Sequence, residues 1–151
     1  MRRSILFACL TLGVLGLHAQ DLNTISVPGI EALANGWYKF VSEGANYDVE
    51  ITNGGLVKGN IRWFDTHTYS GDLSRNVISG KGTYTWDNGD YYEGAFKNNE
   101  RSGKGTMHWK NGAKFSGKWK NNKRNGKGTL WEIDGTIVKG VWEEDVLVKK
   151  K

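Results

Sequence analysis

The chain has 151 residues and a formal net charge of +5, with 21 glycines, 7 tryptophans, 6 tyrosines, 5 phenylalanines, one proline and one cysteine. That length fits one domain, and a single cysteine rules out a disulfide within the chain. The positive balance is mild and spread along the sequence, which argues against a dedicated nucleic-acid binder, whose charge gathers on one face.

Residues 1–19 read as a secretory signal peptide, with Arg2 and Arg3 as a basic head, an apolar run from Ile5 to Leu17 and Ala19 before the break. The run of 13 residues falls short of the roughly 20 that a membrane-spanning helix needs. It predicts an exported protein, periplasmic, envelope-associated or secreted, with an uncleaved N-terminal anchor as the alternative. Cys9 lies inside this segment, too close to the arginines for a lipid-attachment box. Without Arg2 and Arg3, 19 of the 21 basic residues remain against 16 acidic ones, a net of +3.

Residues 20–55 divide into a linker, a brief helix and a leading hairpin. Pro28 to Ala34 has proline in its first turn and Gly36 beyond its end, the signature of a short helix. Its expected task is to cover the first open sheet edge. Trp37–Ser42 and Tyr47–Thr52 alternate as strands do, and Asn53-Gly54 is a hairpin turn signal.

Residues 56–142 form a repeat array. Tyr69-Ser-Gly71-Asp-Leu73 recurs as Tyr92-Glu-Gly94-Ala-Phe96, Phe115-Ser-Gly117-Lys-Trp119 and Val138-Lys-Gly140-Val-Trp142, at intervals of 23 residues. Gly80-Lys-Gly82-Thr, Gly103-Lys-Gly105-Thr and Gly126-Lys-Gly128-Thr keep the same interval, as do Asn88-Gly89, Asn111-Gly112 and Asp134-Gly135. A fixed period of this length marks an array whose units bury their apolar faces on their neighbours. Leu56–Trp63 is a degenerate leading unit, with Lys58-Gly59 in register but Thr66 where a glycine belongs.

Each unit predicts two strands joined by a two-residue primed turn at the Asn-Gly or Asp-Gly pair, with a longer connection such as Lys120–Asn125 between units. Along a strand, Gly105, Met107 and Trp109 share one face, as do Phe115, Gly117 and Trp119. A glycine leaves a floor on which the ring of an adjacent strand lies flat. Glycine weakens a strand by its entropy, but a buried ring covers about 150–250 Å2, worth several kcal/mol at about 25 cal/mol per Å2. The rings win. Residues 143–151 are a basic tail in which Val146-Leu147-Val148 adds a last edge strand closed off by lysines.

These phrases resemble the MORN (membrane occupation and recognition nexus) repeat, whose pattern is Tyr-x-Gly-x-aromatic, a polar loop, Gly-x-Gly-x-aromatic and an Asp/Asn-Gly turn. The match covers Tyr69 to Trp142 and departs from the pattern at Trp131, offset by one from the Trp86 and Trp109 column, and at Val138, where a ring belongs. The resemblance implies an all-β fold, an elongated single-layer antiparallel meander of hairpin repeats with a groove lined by aromatics. It also implies a role in protein or lipid contact, dimerisation and spacing rather than chemistry.

The residues themselves point the same way. Gly112–Lys118 has phosphate-loop spacing but continues with Trp119 in place of a magnesium-binding Ser or Thr, and lies in a predicted strand. His67 and His108 occupy variable positions, and Asp90, Glu93, Glu143 and Glu144 flank turns and strand ends. No catalytic residue, metal site or cofactor is predicted. The candidate binding groove is Tyr69, Tyr84, Trp86, Tyr92, Phe96, Trp109, Phe115, Trp119 and Trp142; most of these rings read first as the packed face of the sheet, and some as an open groove, since a single-layer sheet leaves one face uncovered. Its expected occupant is a protein partner or a second copy, in a scaffold role. A second reading is peripheral binding to acidic phospholipid through Lys81, Lys97, Arg101, Lys104, Lys120, Lys123, Arg124 and Lys127. A third is glycan stacking on exposed rings.

Overall fold

The computed structural model describes residues 3–4, 25 and 27–151. One sheet holds most of them. Its strands lie in chain order: β1 (Arg3–Ser4), β2 (Gly36–Ser42), β3 (Ala45–Thr52), β4 (Gly55–Trp63), β5 (Thr68–Ser74), β6 (Val77–Thr85), β7 (Tyr91–Lys97), β8 (Glu100–His108), β9 (Lys114–Lys120), β10 (Lys123–Trp131), β11 (Ile137–Glu143) and β12 (Val146–Lys150). From β2 onward every neighbour is antiparallel, an open meander. At about 4.8 Å per strand those eleven strands span roughly 50 Å. β1 adds a two-residue parallel bridge to Tyr38 and Lys39. The signal peptide expected over 1–19 and the linker expected over 20–24 otherwise lie outside the described residues.

Two corrections concern the turns. The Asn-Gly and Asp-Gly pairs of the array are not two-residue primed turns. Only the glycine has positive φ (Gly89 89°, Gly112 95°, Gly135 86°), and the Gly89 amide bonds back to the Trp86 carbonyl while the Trp86 amide donates to Asp90. That is a three-residue loop, a type I turn closed by a left-handed glycine. An Asx bond supports each one: the Asn88, Asn111 and Asp134 side chains accept the amides of Asp90, Ala113 and Thr136. Thr66 holds the glycine position of the leading unit at φ 78°, a strained conformation for a β-branched residue.

The primed turns lie instead in the segments read as longer connections. Arg75-Asn76, Asn98-Asn99, Asn121-Asn122 and Glu144-Asp145 pair φ near 48° with φ near 67°, and strands run to Lys120 and restart at Lys123. Asparagine tolerates this backbone, and here it does more. The Oδ1 atoms of Asn76, Asn99 and Asn122 accept the amides of Leu56, Ile78 and Arg101, each 20 or 21 residues upstream. Asp145 does the same for Arg124. In return, the Asn99, Asn122 and Asp145 amides donate to the carbonyls of Ile78, Arg101 and Arg124. A ladder of turns therefore stitches one end of the hairpins together.

The helix expected over 28–34 is a single 3-10 turn, Ile30–Ala32. It does not flank the first edge. The Ile25 amide bonds Asn76, Glu31 packs on Gly54, and the Asn35 side chain accepts the Asn53 amide. The segment crosses the turn ends of β3–β6, and Ile25, Val27 and Ile30 close the apolar face there.

Candidate interaction surfaces

One face of the sheet holds the rings. A Cβ on Gly82 would meet the Tyr69 ring at 2.5–2.7 Å, and one on Gly105 or Gly128 would overlap the Tyr92 or Phe115 ring. Each ring thus lies on the glycine of the next strand, as its spacing predicts. The rings also meet edge to face in one continuous chain: Tyr69–Phe96 at 5.7 Å, Phe96–Tyr92 at 5.0 Å, Tyr92–Trp119 at 5.4 Å, Trp119–Phe115 at 5.4 Å and Phe115–Trp142 at 5.0 Å. A single layer can hide its aromatics because each ring covers the next. The Tyr69 and Tyr92 hydroxyls donate to the carbonyls of Asp72 and Ala95, and Trp119 Nε1 donates to Gly105. Burial pushes the Tyr92 phenol up to about 12 and those of Tyr69 and Tyr84 further still.

Of the nine groove candidates, Tyr69, Tyr84, Tyr92, Phe96, Phe115, Trp119 and Trp142 are therefore core, all 5% exposed or less. Trp86 and Trp109 are half-buried. They continue a row that starts at Trp63, on every second strand, so about 10 Å apart. Tyr84 packs between Trp63 (5.9 Å) and Trp86 (4.8 Å), and its hydroxyl meets His67 Nδ1 at 2.9 Å. Trp63 went unnamed as a site residue, although its place 23 residues before Trp86 gave the signal. Glu132 takes the next place in that column, and the offset Trp131 turns to the other face under Lys114 Nζ, 4.4 Å from its ring.

The eight basic candidates fall into separate groups. Arg101 belongs to the ring face. Its guanidinium lies 4.7 Å from the Trp119 ring and 5.5 Å from Trp86, and Nη2 donates to the Asn122 carbonyl at 2.7 Å. Burial lowers its pKa from the ordinary arginine value. Arg124 is held by Asp145 at 3.0 Å, and Lys123 by Glu144 at 2.7 Å; that hydrogen bond raises the Lys123 pKa and lowers that of Glu144. Lys97 and Lys120 sit at the stitched turn end. Lys81, Lys104 and Lys127 line the middle of the face opposite the rings, while Arg101 and Arg124 lie against rings on the other face, so the set does not converge on one surface.

The third surface is the outer edge. β12 pairs with β11 on one side only. Its residues are all exposed, and Val146, Leu147 and Val148 show 63%, 39% and 50% of their surface.

The model of the MORN repeat matches residues 69–91, 92–114 and 115–136. No curated protein matches the chain. MORN repeats are in general modules of protein or membrane contact, and catalysis is not their general role. The matched spans start on Tyr69, Tyr92 and Phe115, the three rings that lie on the glycines of the following strand. Residues 69–136 of the chain are three consecutive MORN repeats.

Proposed function

We infer that the chain is a non-catalytic scaffold protein, exported to the cell envelope, that joins a second β-strand through β12. The observation carrying this reading is the exposed edge: a full strand with unpaired backbone groups on one side and three successive apolar side chains in water. Such an edge is a template for strand addition. In an antiparallel pair of two copies centred on Val148, each Lys150 faces Val146 rather than another lysine, so like charges are kept apart. Export rests on the basic head and apolar run of residues 1–19.

Sedimentation velocity over a wide concentration range tests the edge. The chain lacking residues 1–19 is expected to associate as concentration rises, and the Leu147→Lys, Val148→Lys double variant to stay monomeric with an unchanged β-sheet spectrum. A parent protein that is monomeric throughout, or a double variant that associates equally, sinks the reading.

A further inference from the structure

The face turned away from the rings carries three parallel rows across its C-terminal half. In the first, Lys104 stands directly opposite Lys118 on β8 and β9, followed by Lys127 on β10, Val141 on β11 and Lys149 on β12. In the second, two residues along each strand, stand Thr106, Ser116, Thr129 and Lys139, with the Thr106 hydroxyl donating to Ser116 at 3.0 Å. The third holds Tyr91, His108, Lys114 and Trp131. His108 stacks on Tyr91 at 4.3 Å and meets Glu93 at 3.1 Å. Short hydroxyl side chains between two rows of long ones make a trough. Its walls stand four residues apart along the strand, about 14 Å.

Its positive charge is concentrated here. In the front half, Lys39 pairs with Asp48 at 3.5 Å and Lys58 with Glu50 at 3.2 Å, and Asp72 accepts the Lys81 amide at 2.8 Å. The position of Asp72 is Ala95 in the next unit and Lys118 in the one after. Among the described residues no carboxylate forms an ion pair with Lys104, Lys118 or Lys127. Lysines facing each other across a ladder oppose folding, and the ring packing on the other face does not require them. What they provide is a line of positive field.

We propose that β8–β12 bind a linear acidic polysaccharide with one carboxylate on every sugar, lying in the trough across the strands. The lysine wall repeats at the strand spacing, about 4.8 Å, close to the rise per sugar of an extended uronic-acid chain. On β8, β9 and β10 the carboxylates then come within reach of the Lys104, Lys118 and Lys127 ammonium groups, and the sugar hydroxyls meet Thr106, Ser116 or Thr129. A trough of this width admits one sugar chain and excludes the flat surface of a bilayer from the hydroxyl floor.

Calorimetric titration of the chain lacking residues 1–19 tests the proposal with four probes: an octamer of polymannuronate, an octamer of hyaluronan (a carboxylate on every second sugar), a neutral mannan octamer, and vesicles of phosphatidylglycerol in phosphatidylcholine. Polymannuronate is expected to bind, hyaluronan to bind about 10-fold more weakly and the neutral octamer not at all, with affinity falling as salt rises. The Lys104→Gln, Lys118→Gln, Lys127→Gln variant should lose at least about 10-fold in affinity while keeping or raising its melting temperature, because like charges have been removed. Lys97→Gln with Lys120→Gln, at the turn end, should change affinity by less than about twofold. No binding of polymannuronate at low salt, equal binding of hyaluronan, equal affinity in the triple variant, or binding confined to the vesicles overturns it.

Discussion

The repeated ring is positioned by what its neighbours lack. Tyr92 lies against Gly105, where a single methyl would overlap the phenol ring, and the ring has no free volume to retreat into because Phe96 and Trp119 meet it edge to face. Gly105→Ala is therefore expected to destabilise the fold by about 1–3 kcal/mol, the usual cost of overpacking a tight site, as read from the midpoint of urea unfolding. The reverse experiment uses Phe115, the one ring of the three without a hydroxyl. In the two preceding units the tyrosine hydroxyl donates to the carbonyl three residues on. Phe115→Tyr should reach the Lys118 carbonyl in the same way and gain about 1 kcal/mol; a loss of stability would mean that the third unit lacks the geometry of the first two.

At the scale of the hairpin, the stitched turns carry more than their local conformation. Asn99 combines a left-handed backbone, φ 67°, with a side chain that accepts the Ile78 amide from the preceding turn. The two contributions separate by substitution. Asn99→Gly keeps the backbone and leaves the Ile78 amide without its acceptor, costing about 1 kcal/mol. Asn99→Ala adds the left-handed penalty, roughly another 1 kcal/mol. Hydrogen exchange at Ile78 should quicken in both variants, and equal stability of the two would remove the backbone part of the account. The strands and their faces were legible in the sequence because alternation and the 23-residue interval report them directly. The turn types were not. Asn88-Gly89 carries the dipeptide of a primed turn, yet Trp86 pairs with Asp90 rather than with Gly89, so three residues cross between the strands and only the glycine turns left-handed. Dipeptide propensity says nothing about where strand pairing stops. The ladder was equally hidden, because a bond joining residues 21 apart has no local signature.

For the molecule as a whole, the sequence showed that rings and glycines alternate but not that the rings would be covered. In a sheet one layer thick the rings read either as its packed face or as an open groove. Ring contact along the sheet buries seven of those nine, six in the edge-to-face chain and Tyr84 between Trp63 and Trp86, leaving Trp86 and Trp109 at the rim with Trp63. Burial of phenols has a pH consequence. Burial pushes Tyr47 and Tyr92 up to about 12, and Tyr69 and Tyr84 move in the same direction. A folded-state pKa above the unfolded value of 10.0 gives stability that is intact below pH 10 and lost as pH rises towards 12 and beyond. Thermal midpoints should therefore hold through neutral pH and fall steeply above pH 10. Phenolate absorbance should appear together with loss of the β-sheet spectrum; phenols that ionise while the sheet persists would contradict their burial.

The meander joins each strand only to its neighbours in sequence, and no pairing links the first described strand to the last. Inserting or excising one 23-residue unit at the same phase would move the two ends apart or together by about 10 Å, two strand spacings, while recreating the junction on either side. The molecule is in this sense a graduated rod, and the distance between whatever grips its two extremities is set by a whole-number tally of hairpins.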